Sequence, residues 1–168
     1  MSLLGALPAR FRRERVLIVG CGDVGQRAAR ALGASNGRRA RVMALTSSPA
    51  RAAPLRGQGI TPLQGNLDDP RSLRRLAGLA TRVLHLAPPP SGEMADWRLD
   101  PRTRALTRAL VQRSLPSALV YGSTTGVYGD GQGRWVGEAT PARPLTPRAW
   151  RRVDAEAAVH WLGRATGV

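Results

Sequence analysis

The sequence RVLIVGCGDVG at residues 15–25 joins an unbroken apolar run to a glycine turn. An apolar run without polar alternation reads as a strand covered on both faces. Residues 15–19 therefore predict a buried strand, and Gly20, Gly22 and Gly25 follow it directly. A helix continues to about Gly33, with Val24, Ala28 and Leu32 spaced i, i+4 and i+8 for its inner face. The spacing Gly-x-Gly-x-x-Gly is weak evidence in a chain with 19 glycines, but a strand before it and a helix after it give it meaning. The first glycine permits a tight turn, the second lets backbone approach a pyrophosphate, and the third lets helix and strand pack closely. Free N–H groups and the positive end of the helix dipole then face the phosphates. Cys21, Asp23 and Val24 complete this candidate loop. The Asp23 carboxylate is placed to cap the helix, and Cys21 reads as a small filler, with a reactive thiol as the alternative. The competing reading of the whole segment is an ordinary strand–turn–helix.

Working outward, residues 41–46, 59–63, 83–87 and 118–123 read as further strands. Asp68, Asp69 and Pro70 open a helix with Leu73, Leu76 and Leu79 as its buried stripe. Residues 101–114 form another helix, with Leu106, Ala109 and Leu110 inward. After a Gly/Pro-rich loop at 126–147, a last helix spans about 151–166, with Trp150, Val153, Ala157 and Trp161 sharing a face. The order β-α-β-β-α-β-α-β-loop-α predicts an α/β fold, a doubly wound parallel sheet of Rossmann type with about five strands. Residues 1–14 read as an N-terminal extension and 15–168 as one dinucleotide-binding domain. Gly167 is a helix stop and Val168 reads as the start of a sixth strand, so the expectation is a chain cut short before strand six, without a substrate-binding part.

The end of the second strand bears on the cofactor. Sites that prefer NAD place an Asp or Glu there for the ribose 2′-hydroxyl. This chain has Thr46, Ser47 and Ser48, followed by Arg51. Hydroxyls can bond a phosphate and Arg51 can neutralise it, so NADP is favoured and NAD is the alternative.

Composition bounds the rest. With 168 residues, 42% of them hydrophobic, the chain suits one domain, and no stretch approaches a membrane span. The start MSLLGALPARFRRER has its apolar part before its charges, the reverse of a secretory signal, and Cys21 is the single cysteine, so a cytoplasmic, reducing location is expected. His85, His160 and Cys21 show no ligand spacing, and no metal is expected. All 26 basic residues are arginine, giving a net charge of +15. That charge keeps nucleic-acid binding as an alternative, but the arginines are scattered and aromatics are only 4%, which argues against a stacking platform.

Several stretches together resemble the extended short-chain dehydrogenase/reductase family, also called the NAD-dependent epimerase/dehydratase family. They are LIVGCGDVG (17–25), GNLDDPRSL (65–73), VLHLAPPP (83–90), LVYGSTTGVYGD (119–130) and EATPARP (138–144). The resemblance implies that Asn66 and Leu67 face the adenine, where the family usually has an Asp, and that Ala87 and Pro88 lie beside the cofactor's middle. It also implies that Thr124 stands in for the Ser/Thr that hydrogen-bonds the reacting oxygen. The family's acid–base Tyr and Lys, counted back from Glu156, fall on Arg148 and Arg152. An arginine stays protonated to above about pH 12 and cannot shuttle a proton near neutrality. Of the two remaining phenols, Tyr121 has an ambiguous orientation, and Tyr128 is the candidate acid–base group, with Arg148 or Arg152 as the cation lowering its pKa. The alternative is that Tyr128 packs its loop. The missing dyad and the Gly-x-Gly-x-x-Gly spacing, where the family more often has Gly-x-x-Gly-x-x-Gly, resemble its atypical, sugar-nucleotide-epimerase-like subgroup. His85 reads as a packed core histidine, and His160 with Trp161 as packing or interface.

These readings predict an NAD(P)-binding oxidoreductase or epimerase acting on a nucleotide-sugar-like or small hydroxy or keto substrate. The alternatives are a non-catalytic NADP(H)-binding module or regulator, and arginine-driven nucleic-acid binding. The resemblance also implies a homodimer through the helices flanking strands four and five.

Overall fold

The computed structural model describes residues 14–34, 40–92 and 95–168; of the expected N-terminal extension only Glu14 lies within these. Five strands form one parallel sheet: β1 (Arg15–Val19), β2 (Arg41–Thr46), β3 (Thr61–Gln64), β4 (Arg82–His85) and β5 (Ala118–Tyr121). Their spatial order is β3-β2-β1-β4-β5, so the central β1 has Ile18 level with Ala44 on one side and Leu84 on the other. The apolar run of β1 is explained by cover on both faces. Leu17 and Val19 join Met43, Leu45 and Val83 beneath Leu73, Leu76, Leu106 and Leu110. Val16 and Ile18 turn the other way, toward Ala29, Leu55 and Ile60.

Among the described residues four α-helices accompany the sheet: α1 (Asp23–Ala34), α2 (Ala52–Gly57), α3 (Pro101–Leu110) and α4 (Pro147–Thr166). The sequence reading passes directly from the second strand to the third, yet these are parallel neighbours and a crossover must join them. A 3₁₀ turn, Pro49–Arg51, running into α2 makes that crossover. With six residues and only Leu55 buried, α2 is too short to print a helical stripe in the sequence. Gly59, at φ +74°, ends this turn with its N–H on the Arg56 carbonyl, so the strand begins at Thr61 rather than at 59.

Other expectations shift for equally local reasons. Val24 is 65% exposed; Gly25 and Ala29 are buried in place of the expected Val24 and Ala28, while Leu32 packs inward as expected. The helix opened by Asp69 is a 3₁₀ helix, Pro70–Leu76, in which Leu73 and Leu76 eclipse at a spacing of three; Leu79 lies beyond its end. Strand β4 ends at His85, although Leu86 still donates its N–H to the Val19 carbonyl at 2.7 Å. Helix α3 stops at Leu110, four residues early, and β5 stops at Tyr121.

The largest correction falls on α4. Thr146 caps it and Pro147 opens it, so it starts four residues before the expected 151. Ala157 and Trp161 face solvent, with Trp161 62% exposed; the inner positions are Ala149, Arg151, Arg152, Ala155 and Leu162. A hydrophobic-face reading misses this because two of the buried residues are arginines. Helix α4 lies on α3 through Asp154, whose carboxylate accepts from Arg104 Nη2 at 2.5 Å and from the Asp100 N–H at 2.8 Å. Among the described residues no helix is long and apolar enough to cross a membrane.

His85 is 1% exposed. Thr103 donates its hydroxyl to Asp100 Oδ2 at 2.7 Å and so accepts from His85 Nε2 at 2.8 Å. Burial first, and the nearby Arg152 charge second, push the His85 pKa down from 6.5 to about 4. The folded chain thus binds fewer protons than the unfolded one between those values, and stability falls as pH drops through that window. Urea unfolding at about pH 7 and about pH 4.5 should show the native chain losing about 2 kcal/mol more than His85→Gln, which does not titrate.

Candidate functional site

The carboxyl ends of β1 and β4 meet at Gly20. Its φ is +89°, and a Cβ there would lie 2.4 Å from the Ala87 nitrogen, so only glycine makes this turn. A Cβ on Gly25 would come within 3.1 Å of the Gly20 carbonyl and 3.2 Å of Ile18 Cγ2, which ties that glycine to helix–strand packing. Gly22 is different: a Cβ there would meet nothing within 4 Å. Protein packing does not account for this glycine, and the room beside it opens outward from the turn. Asp23 begins α1 and pairs with Arg27 at 2.9 Å instead of capping the helix; both side chains are exposed. Cys21 is buried, and burial raises its thiol pKa more than Arg51 lowers it, so it stays protonated near neutrality.

Two clefts flank the turn. One, of about 370 Å³, is lined by Gly20, Cys21, Gly22, Thr46, Ser47 and Arg51, together with Ser48 and Pro88. Arg51 donates from Nη2 to the Cys21 carbonyl at 2.9 Å, which places its guanidinium at the glycine turn. The Thr46 hydroxyl accepts from the Ser48 N–H at 3.2 Å and shapes the bend after β2. The other cleft, of about 170 Å³, is lined by Gly20, Ser47, Asn66, Leu67 and Ala87. There Asn66 Oδ1 accepts from the Asp68 N–H at 3.0 Å, closing a turn. Residues far apart in sequence that were predicted to share one ligand thus share two adjoining clefts. Val24 lines neither.

Sequence reasoning missed Arg102, which borders the smaller cleft and a third of about 560 Å³. Its Nε and Nη2 bond the two Asp68 carboxylate oxygens at 2.7 and 2.6 Å, and its Nη1 donates to the Pro88 carbonyl at 3.2 Å. This pairing holds the Asp68 carboxyl below the usual carboxylate range. Nothing in the sequence marks Arg102 among so many arginines. The third cleft lies between residues 88–92 and the first turn of α4, where Arg148 stands on the wall.

The predicted catalytic residues stand at the two ends of one 3₁₀ turn, Thr125–Tyr128. Thr124 caps the 3₁₀ turn Thr125–Tyr128, accepting from the Gly126 N–H at 3.4 Å. Tyr128 lines a separate cleft of about 280 Å³ with Asp130, Arg134 and Trp135. Arg152 does not accompany it. Its Nη1 donates to the Gly122 carbonyl at 2.5 Å and to the Tyr121 hydroxyl at 3.2 Å, and its guanidinium lies 5.6 Å from the Tyr121 ring centroid. Burial pushes the Tyr121 pKa up against the lowering effect of Arg152, so this phenol keeps its proton.

Strand order β3-β2-β1-β4-β5, with a glycine turn between β1 and α1, defines a Rossmann-like α/β domain. The model of the TrkA-N domain, a Rossmann-type NAD-binding family, matches residues 16–86. No curated protein matches the sequence. Solved structures share the fold. A putative epimerase from Burkholderia cenocepacia J2315 is similar at TM-score 0.70 and 23% identity, over 90% of this chain and 50% of that one. UDP-glucuronic acid 4-epimerase from Bacillus cereus, in complex with NAD, is similar at TM-score 0.72 and 20% identity, over 92% and 53%. A functionally unknown conserved protein from Silicibacter pomeroyi DSS reaches 27% identity at TM-score 0.64, over 89% and 49%. The chain spans about half the length of these structures.

The glycines make separable demands on stability. Gly20→Ala should destabilise the fold by on the order of 2–3 kcal/mol, through positive φ and overpacking, whereas Gly22→Ala should change it by less than about 1 kcal/mol. Chemical denaturation of the two variants against the native chain checks this.

Proposed function

We propose that this chain is an NAD(P)-binding domain of the epimerase/dehydratase type. The whole protein's chemistry would be oxidoreduction or epimerisation of a small hydroxy or keto compound, a nucleotide-linked sugar among them, in the cytoplasm. The observation that carries the reading is the contrast among the glycines. Gly20 and Gly25 are required by contacts within the protein, while Gly22 faces open space beside the cleft that holds Ser47 and Arg51. A glycine that packing does not need, at the amino end of a helix, answers to a ligand whose phosphates approach the backbone. The resemblance of the glycine loop and of LVYGSTTGVYGD to that family points the same way, as does the NAD bound by the Bacillus cereus relative in fold.

Ser47, Ser48 and Arg51 border the cleft with no carboxylate among its described lining residues, which favours the 2′-phosphate of NADP over the bare ribose of NAD. When bound, NADP would supply hydride transfer; the chain's residues would hold its phosphates at the glycine turn and its adenine near Asn66 and Leu67. Fluorescence titration of the purified chain with NADPH and NADH should show NADPH binding more tightly. Arg51→Ala should weaken NADPH by about tenfold and leave NADH within about twofold, a selective change worth about 1.4 kcal/mol. A folded sample that binds neither dinucleotide would remove the proposal.

A second reading, a non-catalytic NADP(H)-binding module, is favoured by the placement of Arg152. That residue occupies the position matched to the family's lysine, but its guanidinium is bonded to Gly122 and Tyr121 and cannot transfer a proton. The two readings part at Tyr128. If the protein turns over a substrate through this phenol, Tyr128→Phe should lower kcat by at least about a hundredfold with dinucleotide affinity unchanged. Turnover that survives the substitution unaltered excludes Tyr128 as the acid–base group.

A further inference from the structure

We propose that the cleft of about 560 Å³ receives an oxyanion group of the substrate, a carboxylate or a phosphate, and that Arg148 recognises it. The term substrate rests on the reading given under Proposed function; the anion site itself rests on the side chains of this cleft.

Among the described residues three arginines line it, and two of them are occupied with building the wall. Arg102 gives Nε and Nη2 to Asp68 and Nη1 to the Pro88 carbonyl. Arg151 is 3% exposed and donates from Nη1 to the Pro90 carbonyl at 2.6 Å, from Nη2 to Gly92 at 2.8 Å and from Nε to Trp97 at 3.0 Å. Arg148 is tied by no hydrogen bond or ion pair to any described residue, yet it lines the same cleft. No carboxylate lines the cleft among the described residues, and the Arg102 in its wall is already paired with Asp68.

A guanidinium with its donors uncommitted, in a recess that has no carboxylate among its described residues, matches one ligand chemistry best. Its parallel N–H groups fit two oxygens of a carboxylate or phosphate at once. Pro88, Pro89 and Pro90 give the recess a stiff apolar side against which the rest of a small molecule can lie. Arg148 stands where the resemblance places a tyrosine, and the exchange replaces proton transfer with charge recognition. The Thr146 hydroxyl accepts from the Ala149 N–H at 3.2 Å, so it helps form the wall beside Arg148.

Amide NMR of the whole chain tests this, with inorganic phosphate titrated in one series and acetate in another. Saturable shifts at Ser91, Gly92 and Arg148 are expected, and the series with the tighter response identifies the oxyanion class. Arg148→Gln should weaken that response by about tenfold or more, and Arg148→Lys should restore part of it. Equal affinity in the native chain and Arg148→Gln, or shifts confined to the Gly22 region in both series, overturns the proposal. NADPH titration of the same variants separates the two ideas. NADPH affinity within about twofold of native in Arg148→Gln, beside a lost anion response, supports a site distinct from the dinucleotide. Loss of NADPH binding in the native chain with the Gly92 response intact would overturn the cofactor reading and support the anion site.

Discussion

Gly20 and the backbone of Ala87 approach so closely that no side chain fits between them: a Cβ on Gly20 would lie 2.4 Å from the Ala87 nitrogen and 2.6 Å from its Cα. Much of the candidate site follows from that contact. It lets β1 and β4 end level, with the Leu86 N–H still on the Val19 carbonyl, before the two chains part. The parting leaves a recess on either side of Gly20, and both flanking clefts have this residue in their walls. The turn also directs the start of α1, where the Gln26 N–H reaches the Gly22 carbonyl at 2.9 Å. A sheet buried on both faces holds the turn from below, through Leu17 and Val19 on one side and Ile18 on the other.

This part of the molecule was the most legible in the sequence. The run at Arg15–Val19 and the strand at Arg41–Thr46 match the observed bounds, because a buried parallel strand must be apolar throughout. Legibility falls where side-chain pattern stops being decided by burial. Helix α2 has a single buried side chain, and the Leu73–Leu76 spacing serves a 3₁₀ turn as well as it serves an α-helix. That Gly20, Ser47, Asn66 and Ala87 meet at one cleft was readable because strand ends in this fold converge by topology alone. Arg102 was not, since its importance lies in a bidentate pair with Asp68, 34 residues away. Tyr128 was expected beside Arg148 or Arg152, and the fold gives Arg152 to Tyr121 instead.

Arginine serves this chain as structural material. Arg151 and Arg152 are buried in α4; Arg151 gives three donors to backbone carbonyls, while Arg152 reaches the Gly122 carbonyl and the Tyr121 hydroxyl and leaves its buried Nε without a partner. A buried guanidinium is tolerable when oxygens saturate its planar fan, which lysine's compact ammonium does less well. The face of α4 that a hydropathy reading turns inward, with Ala157 and Trp161, is accordingly left outside. The chain's high net charge is therefore a poor guide to a partner, because several of its charges are used in folding.

Arg151 has a mechanical meaning as well. From one position on α4 it grips three carbonyls, of Pro90, Gly92 and Trp97, while Arg98 is wedged 4.8 Å from the Trp97 ring centre and 4.9 Å from that of Trp150. The proline wall and the helix are thereby clamped into one lever, and the Arg104–Asp154 pair bolts α3 to it. A guest pressing on the prolines would meet the helix as well as a loop. The proline wall is therefore only as rigid as the helix that holds it, and α3 and α4 share in shaping a recess that neither of them lines alone.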